Sequence, residues 1–239
     1  NISKRTQSRK LSSIRSFFCW LQAEGLVEDN PCDRIDRPKI GRNLPDVLSE
    51  EEVINLIDSV NTATWQGLRH KAILEVLYGC GLRVSEAVGL KISCLYFKEG
   101  FIRVIGKGNK ERVIYLNDAC RAAIVDYLNE RKTEDVSAVR TKALFLSSRG
   151  TRISNKTVQW MVGKYLDAAG LGGRGLSVHK LRHTAATLMY QSGDVDVRVL
   201  KDILGHANLG TTQIYTHVSD KQIKHAVDQN PLSNVKLKK

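Results

Sequence analysis

Six residues of this chain, in four short stretches, are of the types that act on a phosphate ester. Residues 204–217 read LGHANLGTTQIYTH, where His206 and His217 bracket a lone tyrosine, Tyr215, in a segment too poor in apolar positions to be core filler. Two readings of Tyr215 stand: a buried aromatic with a tethered hydroxyl, or a nucleophile. SVHKLRHTAATLMY (177–190) sets His179, Arg182 and His183 on one predicted helix, and the spacing of three puts His179 and Arg182 on one face. GCGLRVSEAVGL (79–90) places Arg83 after a glycine-broken helix end, with Glu86 as an ordinary ion-pair partner. GKGNKER (106–112) holds Lys107 between two glycines at a hairpin tip, where a solvated lysine and one delivered to a phosphate oxygen read alike.

Together these residues make up what phosphoryl transfer without a metal requires. Two guanidiniums bind equatorial oxygens, imidazoles hydrogen-bond or move protons, an ammonium acts as acid, and a hydroxyl attacks. Mg²⁺ commonly neutralises the developing charge in such reactions; here Arg83 and Arg182 supply two positive charges. Competing chemistries lack their residues. The hairpin tip GKGNKER matches neither GxxxxGKS, GxxxxGKT nor GxGxxG, so no nucleotide-phosphate loop is expected there. His179 and His183 have metal-ligand spacing, but HKLRH lacks the glutamate of HExxH and Arg182 would repel a cation. No metal and no cofactor are expected.

Composition sets the setting for that chemistry. With 239 residues, 42% apolar and 26% charged, the chain has the make-up of a globular domain with a smaller neighbour. No apolar run reaches the ~18–20 residues of a membrane span, and no signal peptide is visible. Its five cysteines are scattered without a CxxC pair, which fits reduced thiols and a cytoplasmic, nucleoid-associated location. Lysine and arginine outnumber aspartate and glutamate 37 to 25, a formal charge of +12 that points to nucleic acid as partner.

The elements that must position these side chains follow from periodicity. Leu11, Ile14, Phe17, Phe18 and Leu21 predict a helix over 8–24. Three of the four prolines fall in 31–48, predicting an extended linker. Ser49 with Glu52 reads as a capping box for a following helix. Further helices are expected at 68–79, 118–131, 154–169, 177–192, 195–204 and 219–228. FIRVI and ERVIYL predict a β-hairpin across 101–116, ALFL (143–146) is a strand candidate, and the glycines of 170–175 read as a flexible joint. The fold class is therefore mostly α with a small antiparallel β-sheet (α+β). The predicted organisation is a helical piece at 1–30, the linker at 31–48, a catalytic domain at 49–218 and a C-terminal helix and tail at 219–239. A single amphipathic helix cannot bury its own face, so further residues are expected ahead of Asn1.

The motifs GLRVSEAVGL, VIGKGNKERVI, HKLRHTAATLM and LGHANLGTTQIYTHV, in that order, resemble the tyrosine recombinase (lambda-integrase-like) family, its XerC/XerD branch above all. The resemblance covers 8–239 and implies a recombinase catalytic domain behind a partial helical core-binding domain. It implies Arg83, Lys107, His179, Arg182 and His206 around a scissile phosphate, Tyr215 as nucleophile, and Glu86 as an orienting residue behind them. The implied activity is site-specific cleavage and rejoining of double-stranded DNA through a 3′-phosphotyrosine, without metal or ATP. The implied partners are a specific recombination site, a homo- or hetero-tetramer joined through the 219–239 tail, and a translocase or directionality factor. A type IB topoisomerase-like nicking-closing enzyme and a non-catalytic DNA-binding protein are the alternatives.

Overall fold

The computed structural model describes residues 2–39, 47–131, 141–192 and 195–205. The expectations for His206, Tyr215 and the 219–228 helix lie outside the described residues. The chain divides into two compact units, Asn1–Leu44 and Pro45–Lys239.

The first unit is built on α1 (Lys4–Ala23), whose start is capped by the Ser3 hydroxyl accepting from the Thr6 N–H at 3.2 Å. No residue of α1 is buried, and Phe17 and Trp20 stay more than half exposed. The beginning of the expected linker differs from the prediction. Pro31–Arg34 form a 3-10 turn instead of an extended run, with Cys32 buried. Asn30 caps the turn through a 3.0 Å bond from the Cys32 N–H, and proline's fixed φ suits the first helical position.

In the second unit, α2 (Glu50–Asp58) opens on the predicted capping box. The Ser49 N–H donates to Glu52 Oε2 at 2.8 Å, and the Glu52 N–H donates to Ser49 Oγ at 3.2 Å. Helix α3 (Trp65–Gly79) is the centre of the core: Ala72 through Leu77 are buried consecutively. A helix packed on several sides has no solvent stripe, which is why its periodicity is faint in the sequence. Around it stand α4 (Val84–Gly89), α5 (Asp118–Glu130), α6 (Asn155–Ala168) and α7 (Val178–Gln191), followed by α8 (Val197–Leu204) against α7. A three-stranded antiparallel sheet joins β1 (Leu95–Tyr96), β2 (Phe101–Ile105) and β3 (Glu111–Tyr115) in that order. Ile102 pairs with Ile114 and Val104 with Arg112, setting these four on the core-facing side. Among the described residues no helix is long and apolar enough to cross a membrane.

Residues 143–146 are buried as their composition implies, but they form isolated bridges and not a strand. Their backbone groups are divided among several partners: Leu144 N–H to Leu90, Ile153 N–H to Phe145, and Leu146 N–H to the Tyr127 hydroxyl. No single neighbour continues a ladder. The glycines of 170–175 also differ from a free joint, because Arg174 reaches back to Glu52 in an ion pair.

Behind the core, His70 joins two helices. Arg69 Nη2 lies 2.9 Å from His70 Nε2, and His70 Nδ1 lies 3.0 Å from the Tyr165 hydroxyl. An arginine only donates, so Nε2 accepts and the proton sits on Nδ1, which requires the neutral ring. Burial first, then the charges of Arg69 and Lys164, lower the imidazole to about 4. The unfolded value is near 6.5, so stabilisation by neutral His70 is full above that pH and is lost as pH falls from ~6.5 towards ~4. With the ring half-buried, about 1–2 kcal/mol is expected across that window. Chemical denaturation from pH 7 to 4.5 should show a shallower loss of stability in His70→Gln than in the parent. Equal slopes would exclude this role.

Candidate active site

The site begins where α3 ends. Gly81 adopts φ +57°, a left-handed turn that residues with a side chain rarely take, and it drops Leu82 into the core. Arg83 is thereby set at the start of α4, with Glu86 one turn later. Glu86 Oε2 accepts the Arg83 N–H at 2.8 Å, and Oε1 accepts Arg83 Nη1 at 2.7 Å. The pair, offered by sequence as an ordinary ion pair and by the family resemblance as an arginine with an orienting residue behind it, forms the floor of the candidate site, with the Glu86 side chain only 4% exposed.

A second arginine completes that floor. Arg112 on β3 binds Glu86 bidentately, Nη1 to Oε1 at 3.0 Å and Nη2 to Oε2 at 2.9 Å. A third, Arg182 on α7, brings Nη1 to 3.6 Å from Oε2. One carboxylate therefore faces three guanidiniums. Burial pushes the Glu86 carboxyl up, but the hydrogen bonds from Arg112 and Arg83 outweigh it and hold the group below the usual carboxylate range.

The other counterweight is the end of α8. Any α-helix leaves its last carbonyls without intrahelical donors and carries partial negative charge there. Arg112 Nε donates to the Ile203 carbonyl at 3.1 Å, Arg182 Nη2 to the Leu204 carbonyl, and Arg83 Nη2 to the Gly205 carbonyl at 3.2 Å. Three successive carbonyls thus take three different arginines. Arg182 Nη1 also donates to the Gly81 carbonyl at 2.6 Å, tying the α3–α4 turn to α7. Gly205, at φ +59°, ends α8 in the left-handed conformation that glycine accepts without strain. The residue after it is His206.

The structure thus brings together Arg83, Glu86 and Arg182. Arg83 is the guanidinium most open to solvent, its side chain 30% exposed against 13% for Arg112 and 7% for Arg182. His179 is exposed on α7, one turn before Arg182. His183 is half-buried, and burial, then Lys180, Arg182 and His179, lower its pKa so that the neutral ring is favoured. The backbone of Lys107 lies in the 3-10 turn Lys107–Asn109 between β2 and β3. His206 and Tyr215 lie outside the described residues. Arg112 is the residue that sequence reasoning missed. Its signal was the strand alternation, which puts it on the same face as the core residue Ile114. Among the described residues no group of three or more His, Cys, Asp or Glu side chains gathers to hold a metal ion.

Comparison with known proteins places this geometry in a family context. Residues 46–222 match the phage integrase family. The chain is 48% identical over 228 residues to a tyrosine recombinase XerC of Caldanaerobacter subterraneus subsp. tengcongensis, covering 95% of this chain and 63% of that protein. It is 37% identical over 231 residues to a tyrosine recombinase XerD of Neisseria meningitidis, covering 97% and 78%. The crystal structure of the XerH site-specific recombinase bound to difH substrate superposes with a TM-score of 0.69 at 26% identity, covering 89% of this chain and 61% of that one. The chain thus spans a little under two thirds of the XerC relative's own length.

Proposed function

The chain belongs to the phage integrase family, and on that premise we propose that it is a tyrosine-type site-specific DNA recombinase. The observation that carries this reading is the cluster of Arg83, Arg112 and Arg182 on Glu86, closed by the helix end that runs into His206. Three guanidiniums converge on this one carboxylate, and Arg83 is the most open of them. A phosphodiester passing through a phosphorane-like state needs positive charge, fixed before the reaction begins.

In this reading the Tyr215 oxygen attacks the scissile phosphorus. The O–P bond forms, the P–O5′ bond breaks, and its electron pair goes to the departing 5′-oxygen. A phenol has pKa ~10, so its proton must be taken up, for which His179 is the candidate base. Lys107 supplies a proton to the 5′-oxygen, while Arg83, Arg182 and His206 stabilise the transition state. The 3′-phosphotyrosine keeps the phosphodiester energy, and attack by another 5′-hydroxyl reverses the step on a new strand.

Double-stranded DNA is the substrate in this reading, and the formal charge of +12 favours its phosphates. The XerH relative is bound to difH substrate, in line with a specific site. Residues 1–30 act as part of a helical DNA clamp, 31–48 as linker, 49–218 as the catalytic domain, and 219–239 as a tail joining protomers in a homo- or hetero-tetramer, with a translocase or directionality factor as further partner.

The deciding experiment is incubation with a nicked suicide duplex, from which the short fragment carrying the free 5′-hydroxyl escapes, followed by a denaturing gel and peptide mapping. A covalent adduct mapping to Tyr215 and forming equally in EDTA is expected. An adduct on another residue, or a strict need for a divalent ion, would overturn the mechanism. Relaxation of any supercoiled DNA without site preference would favour a nicking-closing enzyme.

A further inference from the structure

We propose that Arg112 is a positioning residue that holds the hairpin backbone just before Lys107 in register with the end of α8. The proposal rests on the recombinase reading above. Its basis is a coincidence of two glycines. An ideal Cβ built on Gly106 would lie 3.2 Å from Arg112 Nη1 and 3.4 Å from Glu86 Oε1. One built on Gly205 would lie 3.0 Å from the same Nη1 and 3.1 Å from Arg112 Nε and Cζ. Gly106 immediately precedes Lys107, and Gly205 immediately precedes His206. Two backbone segments far apart in sequence therefore press on one guanidinium, each just before a residue with a chemical role.

That guanidinium is held to act as a reference point. Its two terminal nitrogens are bound to the two Glu86 oxygens and its Nε to the Ile203 carbonyl. Three directed bonds fix the plane of the group. Gly106 itself has φ −94° and ψ −168°, extended values that any residue adopts. No backbone strain calls for glycine there; the close approach to Arg112 does. Gly205 answers to both demands, since its φ is +59°.

The consequence concerns the departing 5′-oxygen. As the P–O5′ pair leaves phosphorus, the oxygen takes a proton from the Lys107 ammonium, which becomes a neutral amine. A hairpin out of register delivers that proton poorly. A lysine at 112 keeps the positive charge but has no fork with which to bind both Glu86 oxygens and Ile203 at once.

The test uses the full chain and two nicked suicide duplexes, one ordinary and one with sulfur in place of the bridging 5′-oxygen. A thiolate leaves without a proton, so cleavage of the sulfur duplex does not need the acid. Arg112→Lys should cleave the ordinary duplex roughly 10²-fold more slowly, the scale expected of a group misplaced by about an ångström. On the sulfur duplex most of that loss should vanish. The double variant Arg112→Lys/Lys107→Ala should be no slower than Lys107→Ala alone, since both changes act on one step. Gly106→Ala, which sets a methyl against Arg112 without backbone strain, should show the same substrate dependence. Equal loss on both duplexes, or losses that multiply in the double variant, would reduce Arg112 to a structural role. Parent protein that forms no adduct on either duplex would instead overturn the recombinase reading itself.

Discussion

Tyr215→Phe is expected to abolish the covalent protein–DNA adduct while leaving DNA binding intact. Phenylalanine keeps the ring and removes only the oxygen proposed to attack phosphorus. Without it there is no group to form the phosphoester, and the splitting of one hard step into two easier ones is lost. In enzymes with a covalent intermediate, removing the nucleophile costs on the order of 10⁴–10⁶-fold in rate. The measurement is a time course on the nicked duplex beside a gel-shift titration. Residual adduct within about tenfold of the parent would mean that another side chain attacks. Weakened binding in step with lost cleavage would mean that the hydroxyl serves structure and not chemistry.

Glu86→Ala should have the largest effect on stability. The carboxylate is nearly solvent-free and faces Arg83, Arg112 and Arg182 at 2.7, 2.9 and 3.6 Å. Removing it leaves like charges crowded in a poorly solvated space, the situation in which breaking a buried pair costs about 3–5 kcal/mol. For a unit of this size each kcal/mol moves the thermal midpoint by roughly 2–4 °C, so a fall near 10 °C is expected. Cleavage should fall with it, because Arg83 loses the bond that fixes its head. Glu86→Gln, which keeps the shape and an acceptor, should lose less stability than the alanine variant.

The dependence on pH has a definite sign. The folded carboxyl of Glu86 titrates below its unfolded value, so its stabilisation is present above about pH 4.3 and disappears as pH falls through the folded pKa. The parent should thus lose more stability below pH 4 than Glu86→Gln does. Unchanged calorimetric midpoints in both variants would show that the carboxylate does not hold the arginines.

How much of this was legible beforehand depended on how local each cause was. The capping box of Ser49 and Glu52, the hairpin of 101–116 and the helix carrying His179 and Arg182 follow from neighbours in sequence. Caps act over one turn and alternation over a few residues, so the chain states them directly. Residues 143–146 were misread for the opposite reason. Their apolar character specifies burial, whereas a strand needs a partner ladder that sequence does not name, and theirs is split among Leu90, Ile153 and Tyr127. Arg112 was overlooked because an arginine in a hairpin reads as solvated until the strand's inner face is known.

The sequence alone offered the candidate side chains, the kind of bond they are suited to, and the local elements they ride on. Tertiary structure decided how the charges balance. Glu86 gathers Arg83 from its own turn, Arg112 from the sheet and Arg182 from α7, and the last carbonyls of α8 take all three. Electrostatic attraction acts across space and not along the chain, so residues distant in sequence can share one carboxylate with no periodic trace.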